Sequence, residues 1–213
     1  MGMYEDCAEQ RSEVAYYMRR LYKRGLTSCS GGNVSCRLPG DLVLITPASL
    51  DKGELEANQV VLVDTTGENL SPEVKPTIEL ALHLEVYRNR PDVKAIAHAH
   101  PPFATSFACM EADIEVGLTP EGVMAVGEIA RAEYHPAGTP EVAVATAEAL
   151  RTANVALMRN HGVTAVGPTL FKAFDRMEVT EIAAKMTWIT LSLNDCRPLN
   201  ADQRKVIFDL MGL

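Results

Sequence analysis

Residues 75–102 read KPTIELALHLEVYRNRPDVKAIAHAHPP. After Lys75-Pro76, the segment TIELALHLEVYRNR predicts a helix starting near Thr77, with Pro91-Asp92 as its stop. VKAIAHAH then reads as a buried strand closed by Pro101-Pro102. The strand ends in His98-Ala99-His100, and residues two apart on a strand point to the same face. A helix leading into a histidine-tipped strand fixes both the architecture and the place to look for chemistry.

Working outward, residues 5–24 carry Val14, Tyr17, Met18, Leu21 and Tyr22 at helical spacing before Gly25. NVSCRL and LVLITP flank Pro39-Gly40-Asp41 as a hairpin, and VVLVDT (60–65) reads as a buried strand. FATSFACM reads as a short helix. Short strands are expected around 114–118 and 128–134, then a helix at PEVAVATAEALR. VALMRNHG and VTAVG read as two strands around a glycine turn, followed by a long helix over 169–193 and a last helix near 201–210. Helices and strands interleave and several strands are hairpin partners. The expected fold is therefore an α/β/α three-layer sandwich around a mixed, mainly antiparallel sheet. With 47% hydrophobic residues spread along 213 positions, one domain spanning 1–213 can bury a substantial core.

The net charge of −8, with no basic face, argues against nucleic-acid binding. No apolar run approaches the roughly 18 residues of a membrane span, and the charged start is no signal peptide, so a cytoplasmic location is expected. Cys7, Cys29, Cys36, Cys109 and Cys196 are odd in number and scattered without a CxxC, which disfavours a disulfide framework or thiolate zinc site.

His98 and His100 can reach one ion, and His161 in MRNHGV ends another apolar strand. Three neutral imidazoles with an open fourth position are a catalytic zinc arrangement rather than a closed structural one. Glu79, in the expected first helical turn, is placed to shuttle a proton beside a metal-bound hydroxy-ketone. The helix N-terminus would stabilise its anion, and burial would raise its pKa. His83, one turn later, is read as an interior packing residue. Ser30-Gly31-Gly32-Asn33 joins the first helix to the first strand, and such small residues can form an anion-binding nest.

These segments resemble the class II aldolase/adducin family. The resemblance is carried by GLTSCSGGNVSCR, LITPASLDKGEL, residues 75–102, YHPAGTPEVA and ALMRNHGVTAVG, which keep family order and cover most of residues 25–190. It implies an α/β/α fold in a homotetramer with active sites at subunit interfaces. It implies Zn2+ on His98, His100 and His161, and the acid/base at Glu79. It further implies phosphate contacts from Ser30, Gly32, Asn33, Ala48, Ser49 and Thr77. The implied reaction cleaves a ketose 1-phosphate, fuculose 1-phosphate-like, to dihydroxyacetone phosphate and an aldehyde through a metal-stabilised enediolate. Epimerase, decarboxylase or dehydratase chemistry on the same scaffold, a non-catalytic adducin-like module and a zinc hydrolase stand as alternatives. Glutamate rather than aspartate at position 79 leans toward the aldolases. Ser49 replaces a family glycine, and Thr77-Ile78 replaces a serine pair. The positions of two family tyrosines fall on Thr119 and Met211, and Glu121 and His135, the nearest substitutes, are read as structural.

Overall fold

A computed structural model of the chain describes residues 7–211. Seven strands form one sheet, numbered along the chain: β1 (Asn33–Leu38), β2 (Leu42–Ile45), β3 (Val61–Asp64), β4 (Ala95–Ala99), β5 (Ile129–Ala132), β6 (Val155–Met158) and β7 (Gly162–Gly167). Their order is β3-β2-β1-β4-β7-β6-β5, antiparallel except for the parallel β5–β6 edge. The helices are α1 (Ala8–Lys23), α2 (Leu80–Asn89), α3 (Pro102–Ala108), α4 (Pro120–Ala125), α5 (Pro140–Ala149), α6 (Leu170–Ser192) and α7 (Ala201–Met211).

Alternation along the strands splits the core in two. Ala95, Ala97 and Ala99 of β4 join the residues of α1, α3 and α6 on one face. Ile96 of β4 joins those of α2 and α5 on the other. The mixed, mainly antiparallel three-layer sandwich is the fold the sequence predicts. The alanine row of β4 leaves space for α6, a 23-residue helix, to lie close to the sheet.

Three expectations are corrected. Residues 114–118 are not a strand: Val116–Leu118 form a 3-10 turn, and the short helix α4 follows it with Pro120 in its first turn. The helix expected from Thr77 starts at Leu80, because Pro76 bridges Pro47 and Thr77 N–H donates to Thr46 O, holding 76–77 extended. The β6–β7 turn is Arg159–His161 with Asn160 at φ 52, while Gly162 already belongs to β7. A Cβ at Gly162 would stand 2.6 Å from Ala99 O and from a carbon of the His100 ring, so this glycine lets two strand ends meet. Glu5 and Asp6, at the start of the expected first helix, lie outside the described residues.

Candidate active site

The sheet register builds the site. β1 pairs with β4 so that Asn33 lies opposite His98, and β4 pairs with β7 so that His98 lies opposite Thr164. Directly opposed residues share a face, so one row across three strands carries Asn33, His98 and Thr164 toward α2. His100 follows β4 immediately and His161 closes the β6–β7 turn. The ligand nitrogens of His98, His100 and His161 lie within 4.8 Å of one another.

His98 is fully buried, and its Nδ1 faces the Val163 carbonyl at 3.1 Å and Thr164 Oγ1 at 3.1 Å. A carbonyl only accepts, so Nδ1 carries the proton and Nε2 presents its lone pair to the site. Burial pushes the ring down to about 3, which keeps it neutral. His100 Nε2 is 3.2 Å from His98 Nε2, close to the ~3.4 Å separating two nitrogens bound tetrahedrally to zinc at about 2.1 Å. Burial lowers the His100 pKa as well.

Glu79 is the N-cap residue of α2, yet its carboxylate makes no capping bond to that helix. This corrects the expectation that the helix N-terminus holds it. It turns inward instead, with Oε2 3.3 Å from His98 Nε2 and Oε1 3.2 Å from His161 Nε2. Asn33 Nδ2 donates to Oε2 at 2.8 Å. Burial opposes ionisation, but the His98 and His161 rings and the Asn33 amide hold the Glu79 carboxyl below the ordinary carboxylate range, so the expected rise is not found. Glu79 Oε1 and His161 Nδ1 are buried without hydrogen-bond partners. His98 Nε2 and the Glu79 carboxylate are both acceptors, so at 3.3 Å they repel unless a cation lies beside them. The donor set therefore fits a divalent cation, with the carboxylate within reach as a displaceable fourth donor.

Glu79, His100 and His161 line a cleft of about 290 Å³, together with Ser30, Gly32, Asn33, Ala48, Ser49 and Thr77. Nine of the ten site residues named from the sequence thus surround one cavity, and the tenth, His98, lies buried beneath it. The cleft is not the molecule's largest: a groove of about 820 Å³ lies beside α1 and Glu178, away from the histidines. The loops are laced by Lys52 N–H to Cys29 O at 2.8 Å and Ala48 N–H to Lys75 O at 3.0 Å. That second bond leaves the Ala48 N–H already committed. Gly32 has φ 68, and a Cβ there would meet His98 O at 2.8 Å, so the double glycine is needed to bring its loop against the histidine strand. Ser49 adopts φ 56, keeping the left-handed turn that the family glycine would favour.

Thr119 caps α4, Glu121 is exposed in that helix's first turn, and His135 lines a separate cleft beside α5. The structure brings none of the three to the histidine cleft. Met211 ends α7, and its side chain lies outside the described residues. Sequence reading missed Lys52, which is 2% exposed, lines the cleft and donates through Nζ to Pro47 O. Burial lowers its pKa to about 8, and among the described residues no carboxylate pairs with it. Its place in the polar run LDKGEL carries no periodic signal, so only a search for anion partners near the Ser30 loop would have raised it.

Residues 12–188 match the family described as Class II Aldolase and Adducin N-terminal domain. The chain belongs to this family. It is 34% identical over 182 residues to an L-fuculose phosphate aldolase of Methanococcus maripaludis, covering 85% of this chain and 98% of that one. It is also 34% identical over 196 residues to a 3-oxo-tetronate 4-phosphate decarboxylase of Pectobacterium atrosepticum, covering 90% and 89%. A solved L-fuculose 1-phosphate aldolase superposes with a TM-score of 0.87 at 29% identity, covering 95% and 96%. Relatives in the family are thus aldolases or decarboxylases, and both types align over most of this chain.

Proposed function

We propose that the protein is a zinc-dependent aldolase that cleaves a fuculose 1-phosphate-like ketose 1-phosphate to dihydroxyacetone phosphate and an aldehyde. The observation that carries this reading is the Glu79 carboxylate, 3.2–3.3 Å from two imidazole nitrogens, in a cleft whose other wall holds a buried lysine and two serines. His98, His100 and His161 would hold the cation, which supplies the Lewis acidity that stabilises an enediolate.

The chain's own groups do the rest. Ser30, Ser49, Thr77 and Lys52 bind the phosphate, so that remote binding energy orients the reacting carbons. Lys52 gives this wall a positive charge below a pH of about 8. In the condensation direction, Glu79 takes a proton from the hydroxymethyl carbon of dihydroxyacetone phosphate; in cleavage it returns that proton. The buried row of Asn33, His98 and Thr164 keeps water from the rear of the site. The exposed apolar residues Phe171, Ile182, Trp188, Ile189 and Leu191 along α6 support the homotetramer expected of the family.

A decarboxylase is the second reading, favoured by the Pectobacterium relative's equal identity over a longer span. Loss of carbon dioxide from a 3-oxo-tetronate 4-phosphate also leaves dihydroxyacetone phosphate. Both reactions therefore pass through the same enediolate, and the co-product separates them. Purified protein incubated with zinc and either fuculose 1-phosphate or 3-oxo-tetronate 4-phosphate is the test. An aldolase releases lactaldehyde from the first and little carbon dioxide from the second. The reverse pattern establishes the decarboxylase.

A further inference from the structure

Between α2 and the sheet lies a line of five buried polar side chains, only two of which belong to the cleft. Glu79, His83 and Tyr87 stand at four-residue intervals on the helix side, and Asn33 and Ser35 at a two-residue interval on β1. The periods of helix and strand bring these two rows face to face. Tyr87 Oη is 2.8 Å from Ser35 Oγ, which is 2.6 Å from His83 Nδ1. His83 Nε2 is 2.5 Å from Asn33 Oδ1, and Asn33 Nδ2 is 2.8 Å from Glu79 Oε2.

The direction of every bond follows from the Asn33 amide. Its Nδ2 faces Glu79 Oε2 and Thr77 Oγ1, and its Oδ1 faces His83. An amide oxygen only accepts, so His83 donates from Nε2. Burial lowers His83 to about 4 and keeps it neutral, so Nδ1 accepts. Ser35 must then donate to that nitrogen, and Tyr87 must donate to Ser35. All four bonds point toward Glu79, an arrangement in which each bond polarises the next.

Asn33 is thereby fully engaged. Its second Nδ2 hydrogen meets Thr77 Oγ1 at 3.2 Å, and the residue is only 2% exposed. Without His83, the Asn33 oxygen loses its donor and the amide is no longer held from that side, while a turned amide would set oxygen against the Glu79 carboxylate. An apolar filling of this space could stabilise the fold as well. A fully satisfied polar line instead specifies one geometry at its end.

We propose that His83 is a positioning residue for Glu79, acting through Asn33 at the end of a one-way hydrogen-bond chain that begins at Tyr87. The proposal rests on the reading of Glu79 as the acid/base. It assigns the Asn33 side chain to the carboxylate rather than to the substrate phosphate.

The test compares His83→Gln, Tyr87→Phe and Glu79→Gln in the zinc-loaded protein. Four quantities are read: bound zinc per chain, affinity for inorganic phosphate, KM, and kcat per zinc ion. His83→Gln is expected to keep zinc, phosphate affinity and KM while kcat per zinc falls on the order of 10²-fold, the cost of a small misplacement of a reacting group. Tyr87→Phe, which deletes one oxygen at the far end, is expected to lower kcat per zinc about 2–5-fold. In the Glu79→Gln background, His83→Gln adds no further loss. Full kcat per zinc in His83→Gln, or a loss explained wholly by missing zinc, overturns the proposal. If His83→Gln does not fold, Tyr87→Phe decides by the same readouts: unchanged kcat per zinc overturns the proposal and a fall supports it. Glu79→Gln with normal turnover would instead remove the acid/base reading itself, an outcome separate from the His83 result.

Discussion

At the histidine end of the cleft His98 and Glu79 are held by neighbours before any ligand arrives, whereas at the serine end the exposed Ser30 and Ser49 hydroxyls have no protein partner among the described residues. His98 is pinned by Val163 and Thr164 across the ladder, and Glu79 by Asn33. Ser30 and Ser49 stand exposed on loops, with the buried Lys52 and Thr77 beside them. A cation demands a fixed set of lone pairs, so its ligands sit in a central strand and at strand ends. A phosphate accepts donors from many directions, so its contacts can stand open and complete their bonding on binding.

The contrast sets the sizes of the expected effects. His98→Ala removes a ligand from the rigid end. Metal and turnover should be lost together, with kcat/KM falling on the order of 10³-fold or more, since a cation at such a site contributes several kcal/mol. Metal analysis beside steady-state kinetics checks this, and retained metal with retained activity would show that the ladder does not define the ligand set. Lys52→Met acts at the open end. It should weaken binding of inorganic phosphate roughly 10–100-fold, the range of a charge-assisted hydrogen bond, with metal content unchanged.

Acidity adds a check on the same residue. A lysine lowered to about 8 by burial is a cation below that pH and is progressively neutral above it. Phosphate affinity of the native protein should therefore fall as pH rises through about 8, and Lys52→Met should flatten that dependence in calorimetric titrations. Ser49→Gly has the smallest expected effect, and its two parts have opposite signs. Relief of the left-handed backbone should raise stability by about 1 kcal/mol, while loss of the hydroxyl weakens phosphate binding about 2–10-fold. Thermal melts and phosphate titration separate the two.

The rigid end was also the legible one. HAH at a strand end fixes two rings by period alone, and the apolar run before His161 announces another strand end that register brings to the same place. Glu79 was found by its position before the strand, but its inward turn was not legible, because that depends on Pro76 and Thr77 being held extended against Pro47 and Thr46. His83 read as an interior histidine, which its burial bears out; its link to Glu79 needs the β1 register. At the open end, SGGN and TPAS read as turns whose partners lie far apart in the chain, and Lys52 gave no signal. The 114–118 segment was misread as a strand because the Thr119 cap and Pro120 redirect the chain into α4.

The most direct test is titration of the metal-free protein with cobalt(II), followed by visible absorption. Saturation is expected at one ion per chain, with bands of a low-coordinate nitrogen and oxygen site that shift when dihydroxyacetone phosphate is added. Failure to take up the ion, or bands that dihydroxyacetone phosphate leaves untouched, would contradict a three-histidine centre with a place for substrate oxygen.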